Sequence, residues 1–324
     1  MTSRSLVLAV AALAVLGCVS GCTRTVAGIA IPGAPAVASA MSASTELGDF
    51  ATIQPCSMVD VEGLPADLQA QPDTPDSFDA CSLRVDSAGA TIHLDVGTLV
   101  YDEDDTGETG PVALSSGLQL YTGSAQDGSC SAYLKFAEGI EMTSVAYAND
   151  GDGTPDLCTT AAAVARNVSG VLARGPVPHR TYPQNSFAAL DPCQLLDNST
   201  LSPLGLDSSS EQTYPAHHEC VWTGTDQDSN DLTAYLSFLV GPTPTAQPNV
   251  STAAQISGRS SVTISTTDDT AAECWIDTAG QSFGAAQVEI AEIYISDDNQ
   301  STDSACQLGT TLATAAWPKL PSAS

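Results

Sequence analysis

Apolar and polar positions along this chain alternate in several stretches with the period of a β-strand. In Ala90–Tyr101 (ATIHLDVGTLVY), Ile92, Leu94 and Val96 fall on one face while His93 and Asp95 fall on the other. Leu232, Ala234, Leu236 and Phe238 alternate in the same way. Further strands are expected at Lys135-Phe136, at Thr143–Tyr147 and in Ala286–Ser296 (AQVEIAEIYIS). Two Ala-rich stretches, Thr159–Leu172 and Gln307–Ala315, read as helices. Ahead of the second set of strands, Asp191 suits a helix N-cap with Pro192 in the first turn, and Cys193, Leu195 and Leu196 then share an apolar face. The order helix, antiparallel strands, helix occurs twice and predicts an α+β fold.

The first 22 residues follow neither period. Arg4 precedes an apolar run from Leu6 to Leu16, too short for a membrane span and followed by small residues, which is the pattern of a secretory signal. Val19-Ser20-Gly21-Cys22 resembles the bacterial lipobox, whose cysteine is acylated and becomes the new N-terminus. Residues 1–22 are therefore expected to be a lipoprotein signal peptide ending at a lipidated Cys22. Cys18 is the alternative, but the bulky Leu16 lies two places before it; an ordinary signal peptide cleaved further on is the other reading. Residues 23–50, rich in Ala, Ser, Pro and Gly and without periodicity, are expected to form a flexible tether. This places the protein on the extracytoplasmic face of the cell membrane, held there by its lipid.

Eight cysteines remain, at 56, 81, 130 and 158 and again at 193, 220, 274 and 306. Their spacings are 25, 49 and 28 in the first set and 27, 54 and 32 in the second. Gln54-Pro55-Cys56-Ser57-Met58-Val59 parallels Asp191-Pro192-Cys193-Gln194-Leu195-Leu196, and Cys81-Ser82-Leu83 parallels Cys220-Val221-Trp222. Four landmarks in one order indicate tandem copies of one domain, residues 51–175 and 187–320, joined by a Pro-containing linker at 176–186. An exported chain favours oxidation, and no C-x-x-C pair supports a zinc thiolate site. Four cysteines per copy allow three pairings, which sequence cannot separate. The sequential one is the working expectation: Cys56 with Cys81, Cys130 with Cys158, Cys193 with Cys220, and Cys274 with Cys306.

Charge narrows the partners. Against 38 Asp and Glu stand 9 Lys and Arg, a formal charge of −29. That excludes nucleic acid and any hold on anionic lipid through basic residues, and leaves room for cationic ligands and divalent metals. Aromatics are only 5% of the 324 residues, so the core must be built from Ala, Val, Leu and Ile.

These motifs together resemble the actinobacterial lipoproteins of the DUF3558 family and the related extracytoplasmic sensor domain of PknH-like kinases. The resemblance rests on the lipobox at Cys22, Thr23-Arg24-Thr25-Val26-Ala27-Gly28, Asp191-Pro192-Cys193-Gln194-Leu195-Leu196, Cys220-Val221-Trp222, and Cys306 ahead of a terminal helix. The second copy matches better; the first has Gln54 in place of Asp and Leu83 in place of Trp. The resemblance implies fold and disulfides, and a ligand groove by analogy with the sensor domains, but no catalytic residue.

Candidate chemistry is sparse. No G-x-S-x-G, H-E-x-x-H, P-loop or G-x-G-x-x-G occurs. His217-His218-Glu219 beside Cys220 gathers ligand types, though adjacent side chains on a strand point apart and a surface loop explains the run more simply. Asp150-Gly151-Asp152-Gly153-Thr154-Pro155-Asp156 resembles part of a calcium loop but has Ala148 where an acid would be needed. Ser296–Ser304 (SDDNQSTDS) and Tyr101–Glu108 (YDEDDTGE) are acidic and read as solvated turns. Arg166, Arg174, His179 and Arg180 concentrate positive charge around the linker, either to dock the acidic second copy or as ordinary helix-end charge. Trp222 and Trp275 are expected to pack on disulfides, and Trp317 to dock the tail on the core.

The expectation is a non-enzymatic lipoprotein of the cell envelope, without cofactor or resident metal, that binds a small ligand or another envelope protein. An exported metal-dependent hydrolase around His217 and His218, and a surface protein stabilised by calcium at Asp150, Asp152 and Asp156, are the alternatives.

Overall fold

In both halves of the molecule a seven-stranded antiparallel sheet carries one long helix on its inner face. A computed structural model describes residues 41–322 except 74, 76, 88–89, 103–108, 127, 149–155, 227–228, 268–270, 285 and 299. All of them lie in one compact unit, Ala38–Ser324. The first sheet comprises β1 (Gln69–Pro72), β2 (Cys81–Ser87), β3 (Ala90–Tyr101), β4 (Thr109–Ala113), β5 (Gln119–Thr122), β6 (Ser129–Lys135) and β7 (Ile140–Ala148). The second comprises β8 (Gln212–Thr213), β9 (Glu219–Thr225), β10 (Asp231–Gly241), β11 (Ser251–Ile256), β12 (Arg259–Thr267), β13 (Ala271–Phe283) and β14 (Gln287–Asp298). The spatial orders are β1-β2-β3-β7-β6-β5-β4 and, read from the opposite edge, β8-β9-β10-β14-β13-β12-β11. The two halves thus share one topology, and each ends in its helix, Leu157–Leu172 or Thr302–Ala316. With the short helices Ala43–Leu47 and Asn198–Leu201, the four are α1 (Ala43–Leu47), α2 (Leu157–Leu172), α3 (Asn198–Leu201) and α4 (Thr302–Ala316).

The alternation seen in the sequence is what the sheets bury. Ile92, Leu94 and Val96 face α2 and are fully covered, as are Ala234, Leu236 and Phe238 on the face of the second sheet that carries α4. A core poor in aromatics packs by close approach: α2 offers Ala161, Val164, Ala165 and Val168, and α4 offers Gly309, Leu312, Ala313 and Ala316. A Cβ at Gly309 would come within 3.1 Å of Ile276 Cδ1, so the helix lies as near the sheet as its backbone allows. Trp317 docks the tail as expected, with its ring fully buried and Nε1 donating to Ser261 Oγ at 3.2 Å.

The four disulfides are the sequential ones. In each half one links the Pro-Cys turn to the start of the second strand, and the other links the sixth strand to the terminal helix.

Three expectations are corrected. The proposed tether is folded over its last part: α1 buries Ala43 and Leu47 completely, and Glu138 in the β6–β7 turn accepts from Ala43 N at 2.8 Å and from the Ser42 hydroxyl. Two apolar side chains and a capping serine suffice to dock this stretch despite its lack of period. The Pro-Cys motifs open single 3-10 turns, Pro55–Met58 and Pro192–Gln194, not α-helices. Asp191 caps as expected, accepting from Cys193 N at 2.9 Å, but Asp197 then accepts from Thr200 N and restarts the chain as α3. Trp275 does not pack on the Cys274 disulfide. Successive residues of β13 face opposite sides, so Cys274 is buried under α4 while Trp275 lies against Tyr294 on the other face, ring centroids 4.9 Å apart.

Candidate functional site: the crevice between the halves

The segment 77–79, between β1 and β2, leaves the first half and enters the second. Ser77 bridges to Leu239, and Phe78 joins the second core, edge-on to Tyr182 at 5.7 Å and to Phe283 at 5.5 Å. Gln287 donates to the Pro75 carbonyl on the same seam. Asp79 meets the buried His218, Oδ1 to Nδ1 2.5 Å. The halves are therefore docked through a specific polar and aromatic seam.

Beside that seam lies an open crevice of about 600 Å³. Its walls come from the first half (Asp49, Ala51, Thr52), the linker (Arg180, Tyr182) and the second half (Ala188–Asp191, Ala216, His217). Apolar atoms dominate the lining, with a few polar groups converging on it, which is the usual make-up of a small-ligand site.

Local structure explains each polar group. Arg180 N donates to Thr52 O at 2.6 Å, which ties the linker to the first half and turns the arginine towards the second. Its guanidinium lies 4.5 Å from the centre of the Phe283 ring and 6.0 Å from that of Tyr182. Among the described residues no carboxylate forms an ion pair with it. Burial pushes the Tyr182 phenol up to about 12 even though Arg180 pulls the other way, so it stays protonated and can donate.

Tyr214-Pro215-Ala216-His217 is a β-turn closed by His217 N to Tyr214 O at 2.9 Å, with Pro at the favoured second position. His217 then takes a left-handed φ of 56°, uncommon for a side-chain-bearing residue. That rotation sends His217 outwards to the crevice, with Nδ1 3.9 Å from Asp191 Oδ2, and sends His218 inwards.

The sequence candidates separate accordingly. His217, His218 and Glu219 do not converge: Glu219 turns away to accept from Ser237 Oγ at 3.0 Å. His179 Nδ1 contacts Thr52 Oγ1 at 2.8 Å, and Arg174 pairs with Asp60 at 3.1 Å, so both tie the linker region to the first half. Among the described residues Arg166 forms no ion pair, and of these four basic residues Arg180 is the one that reaches the second half. Cys18, Cys22 and residues 150–155 of the calcium-like run lie outside the described residues, as do 103–108. Asp156, the last of that run, caps α2, accepting from Thr159 N and Oγ1, which holds its carboxyl below the usual range. In the Ser296–Ser304 run, Ser301 caps α4, but Asp297 is buried rather than solvated. Glu211 lies beside Cys193 and Cys220, whose sulfurs are joined to each other and offer no thiolate to a metal.

The second sheet's other face, away from α4, was not anticipated. Tyr235, Tyr294 and Trp275 form a continuous row there, and Asp277 and Glu292 oppose each other across β13 and β14. Burial raises the pKa of both carboxyls, Glu292 more so because Asp277 faces it.

Residues 173–319 match the family model described as a protein of unknown function, DUF3558. The match spans the second half with its four cysteines. No curated protein matches the sequence. A solved structure, the di-domain ARO/CYC StfQ from the steffimycin biosynthetic pathway, aligns over 80% of this chain and 91% of its own at 9% identity. Its TM-score is 0.19, so no conclusion about this chain follows from it. No helix among the described residues is long and apolar enough to cross a membrane.

Proposed function

We propose that this protein is a lipid-anchored, extracytoplasmic binding protein of the cell envelope, non-enzymatic, that holds a small ligand in the crevice between its halves. The observation that carries this reading is Arg180: a cation without a carboxylate partner among the described residues, set in a largely apolar crevice of ligand size. The complementary ligand has an apolar body and one anionic group, a carboxylate or phosphate, received by Arg180 with Tyr182 and His217 as further donors. The shared topology supports reading the first half as a diverged copy of the DUF3558 domain matched by the second. The lipobox at Cys22 and the family resemblance support the lipid anchor and the sensor-like role.

The test is native mass spectrometry of the exported protein beside its denatured mass, followed by titration with fatty acids and alkyl phosphates. Added mass in the wild type that Arg180→Ala loses is the expected result. A bare wild type that takes up neither class of amphiphile ends the reading.

A further inference from the structure

We propose that the second half carries a binding site for a hard divalent cation such as calcium, built on the carboxylates of Asp297 and Asp226. The site is separate from the crevice and does not depend on the function proposed for it.

Asp297 is the penultimate residue of β14 and lies on the same face as Ile293 and Ile295, so its side chain points inwards. It is 3% exposed, and its strand neighbours Leu232 and Ala272 are each 1% exposed. In these surroundings its Oδ1 has no hydrogen-bond partner among the described residues. A buried carboxylate left without a donor is unfavourable unless a proton or a cation neutralises it.

Asp297 lines an open cavity of about 590 Å³ together with Asp226, Gln300 and Ser304. Asp226 is held in place by its neighbours: it accepts from Asn230 N at 2.8 Å, Asn230 Nδ2 at 2.9 Å and Gln300 Nε2 at 2.7 Å. Both carboxylates line this one cavity, so a cation held in it would offset the charge of both. The wall is closed by two glycines at a backbone contact: a Cβ on Gly224 would stand 2.0 Å from Gly205 O, and one on Gly205 2.2 Å from Thr225 O. The lining contains neither His nor Cys, which points to a cation that prefers oxygen.

The first half provides an internal comparison. Cys130 pairs with Ala146 as Cys274 pairs with Ile295, which makes Ala148 the counterpart of Asp297. Ile92 opposes Ala148 as Leu232 opposes Asp297. Packing at this position is met by a small apolar residue in one half. The sheet therefore does not require a carboxylate at this place for its packing.

Equilibrium dialysis of the chelator-treated full protein against calcium chloride, with metal content measured, tests the site. The expected result is one calcium per chain, lost at least tenfold in affinity in Asp297→Asn and in Asp226→Asn, and unchanged in Arg180→Ala and Asp150→Asn. The near-isosteric Asp297→Asn should also melt higher than wild type in chelator and lose the calcium-dependent rise in Tm. No uptake by wild type at millimolar calcium, or uptake that survives Asp297→Asn, overturns the proposal. A Tm that rises on acidification through about 6 equally with and without calcium would show that a proton alone neutralises Asp297.

Discussion

His218 Nδ1 lies 2.5 Å from Asp79 Oδ1, and its Nε2 lies 3.2 Å from the Ala188 carbonyl oxygen. With Asp79 ionised, both ring nitrogens face acceptors, and only the doubly protonated imidazolium makes both contacts hydrogen bonds. Burial opposes that charge, but the Asp79 carboxylate and the Ala188 carbonyl outweigh it, and the net pKa of His218 is raised. The pair sits on the seam between the halves, so it couples their docking to protonation.

Removing one partner leaves the other charge buried and unmatched. Asp79→Asn is expected to cost roughly 3 kcal/mol in urea unfolding, and His218→Gln a similar amount. The double variant should cost less than the sum. Because the folded pKa is raised, the stabilisation is fully present below the unfolded histidine value of about 6.5 and is lost as pH rises through the higher folded value. A pH series of urea midpoints should show that decline in wild type and not in His218→Gln.

Asp277 and Glu292 titrate with the same sign. A carboxyl whose folded pKa is raised destabilises the fold once it ionises, so their effect is absent at low pH and grows as pH rises through the folded values. Glu292→Gln should therefore raise Tm at pH 8.5 and leave it nearly unchanged at pH 4. Equal gains at both values would assign the effect to packing.

The second half receives the linker through a buried carboxylate. Glu289 accepts from Ser186 Oγ at 2.5 Å, Phe187 N at 2.7 Å and Gln281 Nε2 at 3.0 Å. Phe187 then lies on Gly280, where a Cβ would come within 2.6 Å of the ring. Gly280→Ala should cost about 2 kcal/mol by overpacking, measured by thermal unfolding. Glu138 receives Ser42 and Ala43 in the same manner in the first half, its carboxyl held down to about 2 by the Ser42 hydroxyl first and the Ala43 amide as well.

The anchor is tested directly. Cys22→Ala should move the protein from the membrane fraction to the soluble exported fraction and abolish the lipidated N-terminal mass. Continued membrane attachment with a lipidated peptide would assign the anchor to Cys18.

Much of the fold was legible in local pattern. Alternation at Ile92-Leu94-Val96 and at Leu232–Phe238 marked the central strands, because side-chain direction in a strand repeats every two residues whatever surrounds it. β12 was missed: in Arg259–Thr267 (RSSVTISTT) the apolar alternation is only two residues long, Val262 and Ile264 on one face, and the rest of this strand beside the sheet edge is polar. The site was harder to see. Phe78 lies in a polar loop and gives no sign in sequence that it will enter the core of the other half. Asp297 sits in an acidic run whose composition is that of a solvated turn, and β14 continues through it.

The sequence by itself determined what depends on neighbours along the chain: strands, terminal helices, capping residues, the order of cysteines and the twice-repeated order of elements. Only the tertiary structure decided which groups lose their water. Arg180 without a carboxylate partner among the described residues, His218 between two acceptors and Asp297 on an apolar floor all follow from surfaces brought together from distant parts of the chain. Burial, which sets the chemistry of a charged group, belongs to that assembled surface and not to the residues beside it in sequence.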